Sequence, residues 1–283
     1  MKKLGLIAGC LAVLVGLFLV ALPTLLHTAG LHPTYPGEAI DLSGKRALVI
    51  ATNHGVLNAP GETTGDPTGV MASELTIAYY KFLDAGMDVD VASVKGGEIP
   101  IDPQTLLFMI KTPEDDRFLD DPDLQAKVTN SKRLDDLDFA GYDIIFMSGG
   151  WGAAYDLGYS EVLGDKISDA YAAQTPIIGS VCHGALGLIN ARDTEGAPLI
   201  AGRRIAGVTN KQLEELGIKM TPMHPETELR NAGAVYESRS AFLDFFATHV
   251  AIDDERRFVT GQNQNSAHET AYKMMVLAAE AQR

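Results

Sequence analysis

The stretch Ile177-Ile-Gly-Ser-Val-Cys182-His-Gly-Ala185 decides the fold. Pro176 to Val181 is a short apolar and small-residue run of the kind that forms a strand buried on both faces. A helical pattern begins directly after the cysteine. A strand that turns at once into a helix, with a nucleophile at the apex, has the geometry of a nucleophile elbow. In an open α/β fold such a turn lies at the carboxyl edge of the sheet, where ligands bind. The positive end of the following helix favours a thiolate there, and peptide N–H groups of the turn can receive an oxyanion. A lone free cysteine is ordinarily a small buried hydrophobe. The adjoining His183 and the bracketing Gly179 and Gly184 turn the reading towards chemistry.

Working outward, Arg46–Ala51, Met87–Ser93 and Tyr142–Met147 read as further strands, and Val70–Ala85 and Val162–Ala173 as helices. Asn58–Gly69 is a loop, and Asp253–Arg257 a charged hairpin turn. Residues 96–140 are polar, acidic and punctuated by Pro100, Pro103, Pro113 and Pro122, which predicts an insertion with its own short helices. Strands alternating with crossover helices predict a mainly parallel sheet covered on both faces, a flavodoxin-like three-layer α/β/α sandwich with a small inserted cap. One domain over residues 45–283 is long enough for a full core.

Thirty-seven acids against 23 bases give a net charge of −14, which excludes a nucleic-acid partner. Cys10 and Cys182 are the only cysteines, too few for a disulfide scaffold or a CxxC metal site. Residues 1–30 are different material. Lys2 and Lys3 precede an uncharged run from Leu4 to Leu26, which at roughly 1.5 Å per residue spans about 30 Å of hydrocarbon. A retained signal anchor fits this length. A cleaved signal peptide and a lipoprotein signal at Cys10 are the alternatives. Each puts the rest of the chain outside the cytoplasmic membrane, with membrane contact only through residues 4–26. Residues 31–44, with Pro33 and Pro36, read as a linker.

Four segments then converge on one family: Gly69-Val-Met-Ala-Ser-Glu74-Leu, Ser148-Gly-Gly-Trp-Gly-Ala-Ala-Tyr-Asp156, Ser180-Val-Cys182-His183-Gly184 and Thr260-Gly-Gln-Asn263-Gln-Asn265-Ser266-Ala. In this order they resemble the ThiJ/PfpI superfamily, a class I glutamine amidotransferase-like fold, over roughly residues 45–280. They are most similar to its heat-shock chaperone and glyoxalase III-like branch, whose extra cap the 96–140 insertion also resembles. The resemblance implies Cys182 as nucleophile and Glu74 as a protonated carboxyl donating to the thiolate. It implies His183 as the proton shuttle and the N–H groups of Gly150 and His183 as the oxyanion site. Two departures stand out. Trp151 occupies the place of a family histidine, so the pocket wall changes while a backbone oxyanion site survives. The acid that orients the histidine falls in register on Lys211 or Gln212, leaving Asp156 and Glu214 as candidates. No cofactor is expected; His224, His249 and His268 have no ligand-like spacing, and a metal site from His54, His183 and His224 would need a convergence of ligands that sequence does not show. The resemblance implies conversion of methylglyoxal, or a similar small carbonyl, to lactate without glutathione, by a homodimer. The alternatives are a redox-sensing holdase in which Cys182 cycles to sulfinic acid, and an amidase- or peptidase-like hydrolase.

Overall fold

The computed structural model describes residues 2–218 and 220–281. Seven strands form its central sheet, in the order 250–252, 258–261, 177–181, 144–147, 46–51, 88–93, 132–133. Every neighbouring pair is parallel except the 250–252/258–261 hairpin, whose turn is the charged Asp253–Arg257 segment. The fold is therefore the mostly parallel three-layer sandwich that the strand–helix alternation predicts.

Strand periodicity explains why the strands read as continuous apolar runs. Val49, Ile144 and Phe146 face the layer formed by helix α2 (Ala72–Asp84) and the last helix, Ala267–Glu280, against Leu75, Tyr79 and Met274. Their neighbours Leu48, Ile50, Ile145 and Met147 point to the opposite layer, against Leu163 and Ile167 of the helix Glu161–Ala172.

Residues 96–140 carry short helices over Pro113–Asp120 and Pro122–Thr129, and also supply the sheet's edge strand Lys132–Arg133. A capping box between Thr112 and Asp115 starts the first helix. Asp115 also accepts from Thr76 Oγ1 at 2.7 Å, which ties the segment to α2.

Helix α1, Lys2–Thr28, is exposed along Cys10–Thr28, a stretch long and apolar enough to cross a membrane. The residues read as a linker lie close against the domain. Leu31, His32 and Leu42 are buried, Asn265 Oδ1 accepts from the His32 N–H at 2.7 Å, and Ala85 O accepts from the Leu42 N–H at 2.7 Å.

One local expectation is corrected. The chain after the strand Ile177–Val181 forms a 3-10 turn over Cys182–Leu188, not an α-helix. This turn lies tight against the next strand: a Cβ on Gly184 would sit 2.2 Å from Met147 O. Without an α-helix there is no sizeable macrodipole behind the cysteine, so local peptide N–H groups are left to carry the electrostatics.

Candidate active site

Cys182 ends a fully buried strand and has φ +60°, the left-handed region that L-residues avoid, at a cost of order 1–2 kcal/mol. This is the strained apex the sequence predicts, and it holds the side chain at the carboxyl edge of the sheet. The loop after the neighbouring strand Ile144–Met147 brings Gly149 and Gly150 against it. A Cβ on Gly149 would lie 2.6 Å from His183 N, 2.7 Å from Glu74 Oε2 and 2.9 Å from Cys182 Cβ, so the functional groups converge on space that any side chain would fill. Gly150 has φ +96°, and its Cβ would lie 2.3 Å from Met71 N. Gly150→Ala meets both a steric and a conformational penalty against immobile backbone. Urea unfolding is expected to show a loss of more than about 2 kcal/mol. A loss within about 0.5 kcal/mol would mean that the loop is not held as described.

Glu74 stands in the first turn of α2, fully buried, with Oε2 accepting from the Gly149 N–H at 2.8 Å. Its Oε1 is buried without a hydrogen-bond partner. Burial pushes this carboxyl up to about 8, so it is mostly protonated at neutral pH. Burial also pushes the Cys182 thiol well above its ordinary value, and a charge on Glu74 adds to the rise. The peptide N–H groups of Gly150 and His183 act on the sulfur in the opposite sense. The thiolate expected beside a protonated Glu74 is therefore opposed by burial: within this coupled pair the carboxyl is raised to about 8 and the thiol is pushed higher still.

His183 Nδ1 lies 3.4 Å from Cys182 Sγ. Burial, with a contribution from His224, pushes the imidazole down to about 3 and keeps it neutral. Its Nε2 is buried without a partner, so among the described residues no carboxylate orients the ring. Trp151 packs beside it, ring centroids 5.0 Å apart and tilted by 59°.

Cys182, His183, Glu74, Gly150 and Trp151 line one cavity of about 170 Å³. The two candidate orienting acids lie elsewhere. Asp156 accepts from the Asn53 N–H at 2.7 Å and is pushed up to about 6 by burial. Glu214 is exposed. Gln212, on which the family's acid falls in register, lines the pocket as an amide, with its Oε1 accepting from Asn263 Nδ2 at 2.9 Å. The buried run 262–266 braces this wall, Asn263 donating to Gln212 and Gln264 Nε2 to Phe245 O. The apolar walls include Met71, Ile110, Val208 and Phe245. Ile110 and Phe245 had no local signature, because their loops meet the site only through the fold. Among the described residues no three His, Cys, Asp or Glu side chains converge as metal ligands.

Comparison with known proteins gives the family and the fold. Residues 67–275 match the model of the DJ-1/PfpI family. Glyoxalase 3 of Candida albicans is 29% identical over 216 residues, 73% of this chain and 88% of that protein. The glutathione-independent glyoxalase HSP31 of Saccharomyces cerevisiae is 27% identical over 240 residues, 82% of this chain and 97% of that protein. Among solved structures, the Francisella tularensis Rapid Encystment Protein 24 KDa is 32% identical at a TM-score of 0.75, covering 83% of this chain and 99% of that one. The crystal structure of glyoxalase III from Candida albicans superposes at a TM-score of 0.73 with 25% identity, over 82% of this chain and 97% of that one. With the elbow cysteine, the α2 glutamate and the adjoining histidine in one cavity, and the family model spanning most of the domain, the chain belongs to the DJ-1/PfpI family.

Proposed function

We propose that the chain is a glutathione-independent glyoxalase that converts methylglyoxal, or a close 2-oxoaldehyde, to the 2-hydroxy acid. The observation that carries this reading is the cavity itself. At about 170 Å³ it has room for a small dicarbonyl beside the sulfur. The reactive sulfur and two proton carriers line it.

In the singly ionised pair, Glu74 as carboxylate takes the thiol proton as the Cys182 sulfur adds to the aldehyde carbon, and passes that proton to the new alkoxide. The N–H groups of Gly150 and His183 stabilise charge on that oxygen. Glu74, now a carboxylate, takes the hydrogen from the former aldehyde carbon and returns it to the neighbouring carbon. His183 moves the hydroxyl proton between the two oxygens of the enediol. The product is a lactoyl thioester on Cys182. Water, deprotonated by Glu74, hydrolyses it to lactate and restores the starting ionisation. Glu74 is the stronger base of the two, because burial raises its pKa and lowers that of His183. Acyl transfer of the amidase kind is disfavoured, since it needs an imidazolium that burial opposes and no carboxylate supports. The full chain incubated with methylglyoxal, without glutathione, is expected to release one lactate per aldehyde consumed. Consumption without lactate would refute the reading.

We also propose that α1 anchors the chain in a membrane with the domain on the extracytoplasmic side. The 19-residue stretch Cys10–Thr28, with mean hydropathy 2.3, and the preceding Lys2 and Lys3 support this. A homodimer belongs to the same reading, and sedimentation of the detergent-solubilised chain distinguishes it from a monomer.

A further inference from the structure

We propose that the loops around the pocket mouth seat on the surface of the bilayer that α1 crosses, so that the site draws its carbonyl substrates from the membrane interface. This rests on the reading of α1 as an anchor, and it gives the site a substrate class: 2-oxoaldehydes with an apolar tail.

The first argument is the tether. Helix α1 ends at Thr28, and His32 is already buried in the domain. Only Ala29, Gly30 and Leu31 intervene, a reach of at most about 14 Å from Thr28 to His32. That reach is already taken up. Asn265 Nδ2 donates to Gly30 O at 2.8 Å, Asn265 Oδ1 accepts from the His32 N–H at 2.7 Å, and His27 Nδ1 lies 2.9 Å from Leu31 O. A helix seated in lipid up to Thr28 therefore holds the surface around Asn265 at headgroup depth.

That surface is the outer side of the pocket wall. Asn265 follows Gln264, which lines the pocket, and both side-chain amides donate to Phe245 O, at 3.1 and 2.9 Å. Phe245 lines the pocket too, and His32 lies against the backbone of Ile110, another lining residue. The membrane-proximal segment and the active site thus share a wall.

The third observation is apolar surface. Outside α1, nine large apolar side chains are exposed among the described residues: Leu107, Phe108, Leu119, Tyr159, Leu216, Met220, Val235, Phe242 and Leu243. All but Leu119, Tyr159 and Val235 stand on, or within three residues of, the three loops that line the pocket through Gln104, Ile110, Leu216, Ile218 and Phe245. Phe242 is 95% exposed. Six of the nine thus belong to the chain segments that also build the pocket, exposed apolar surface of the kind that marks an interaction site, and aromatic side chains are suited to the membrane–water boundary. The acidic net charge selects a neutral lipid surface.

The test uses the full chain in phosphatidylcholine vesicles, with and without brominated acyl chains. Phe242→Trp places a reporter on the exposed segment that leads into the lining residue Phe245. Thr175→Trp places one just before the strand Ile177–Val181, at the opposite end from Cys182, and wild type supplies the Trp151 background. Bromine is expected to quench the added Phe242→Trp emission severalfold and to spare that of Thr175→Trp. Phe242→Asp is expected to raise KM about tenfold for a long-chain 2-oxoaldehyde held in vesicles and to leave methylglyoxal kinetics unchanged. If the chain floats with vesicles but both reporters quench alike, the seating is refuted and the anchor stands. Failure to float refutes both. Quenching that follows protein density and not bromine means a second copy covers the patch, which also refutes the seating. Absence of turnover on either aldehyde removes the glyoxalase reading, and the quenching still decides the seating.

Discussion

Replacing Cys182 with alanine is expected to cut lactate formation from methylglyoxal by at least about a thousandfold, with the fold intact. The size of the effect follows from the lack of a substitute nucleophile: the remaining polar lining groups are carboxyl, imidazole, hydroxyl and amide groups not placed at the elbow apex. Glu74 and His183 would still bind and polarise the carbonyl, but with no carbon–sulfur bond there is no thioester to hydrolyse. Alanine keeps the Cβ at φ +60°, so backbone strain is unchanged and only the buried sulfur is lost. Thermal unfolding should shift by no more than a few degrees, corresponding to about 1 kcal/mol. Cys182→Gly offers an internal check. It should be equally inactive yet gain back part of the strain, because glycine adopts positive φ freely. Lactate release by either variant near the wild-type rate would remove the mechanism.

Glu74→Gln is expected to lower kcat by about a hundred- to ten-thousandfold, the range for loss of a positioned general base. Two pH measurements separate this role from a structural one. Below about pH 8 the wild-type kcat/KM should rise tenfold per pH unit and then level off, because the active form has lost one proton from the coupled pair. In the variant that limb should move, since only the thiol is left to titrate. Stability gives the second readout. The carboxyl holds its proton in the folded chain up to about 8, against 4.5 unfolded, so the folded state binds more protons across that window. Stability therefore falls as pH rises from about 4.5 to about 8 and is flat on either side for this group. Glutamine cannot ionise, so the variant's melting temperature should gain on wild type steadily across the same window. A constant difference between the two proteins would show that Glu74 is not held protonated.

Local pattern was enough to place the strands at 46–51, 144–147 and 177–181, because strands buried on both faces are apolar or small throughout, while 88–93 was legible from valines alternating with Asp88 and Asp90. The elbow was legible for a related reason: a tight turn between strand and helix tolerates only small residues around its apex, and Gly179 and Gly184 announce it. The chemistry of the turn was less legible. The sequence suggested a helix dipole and a ready thiolate, whereas packing against Met147 O enforces a 3-10 turn, and burial raises the thiol instead. The third acid could not be located from spacing, because orientation depends on which loop faces His183. Here no carboxylate does, and Gln212 and Trp151 take that side of the pocket.

What the sequence determined by itself was the parallel three-layer fold, the apolar run at residues 4–26 and the elbow cysteine with its adjoining histidine, since each follows from periodicity or a local motif, while Glu74 was singled out by resemblance to the family. Tertiary structure alone decided the proton state of the Cys182–Glu74 pair, the contribution of Ile110 and Phe245 to the pocket, and the clamp of Asn265 on Gly30 and His32. Those depend on desolvation and on contacts between residues far apart in the chain, and neither is written in any local run of residues.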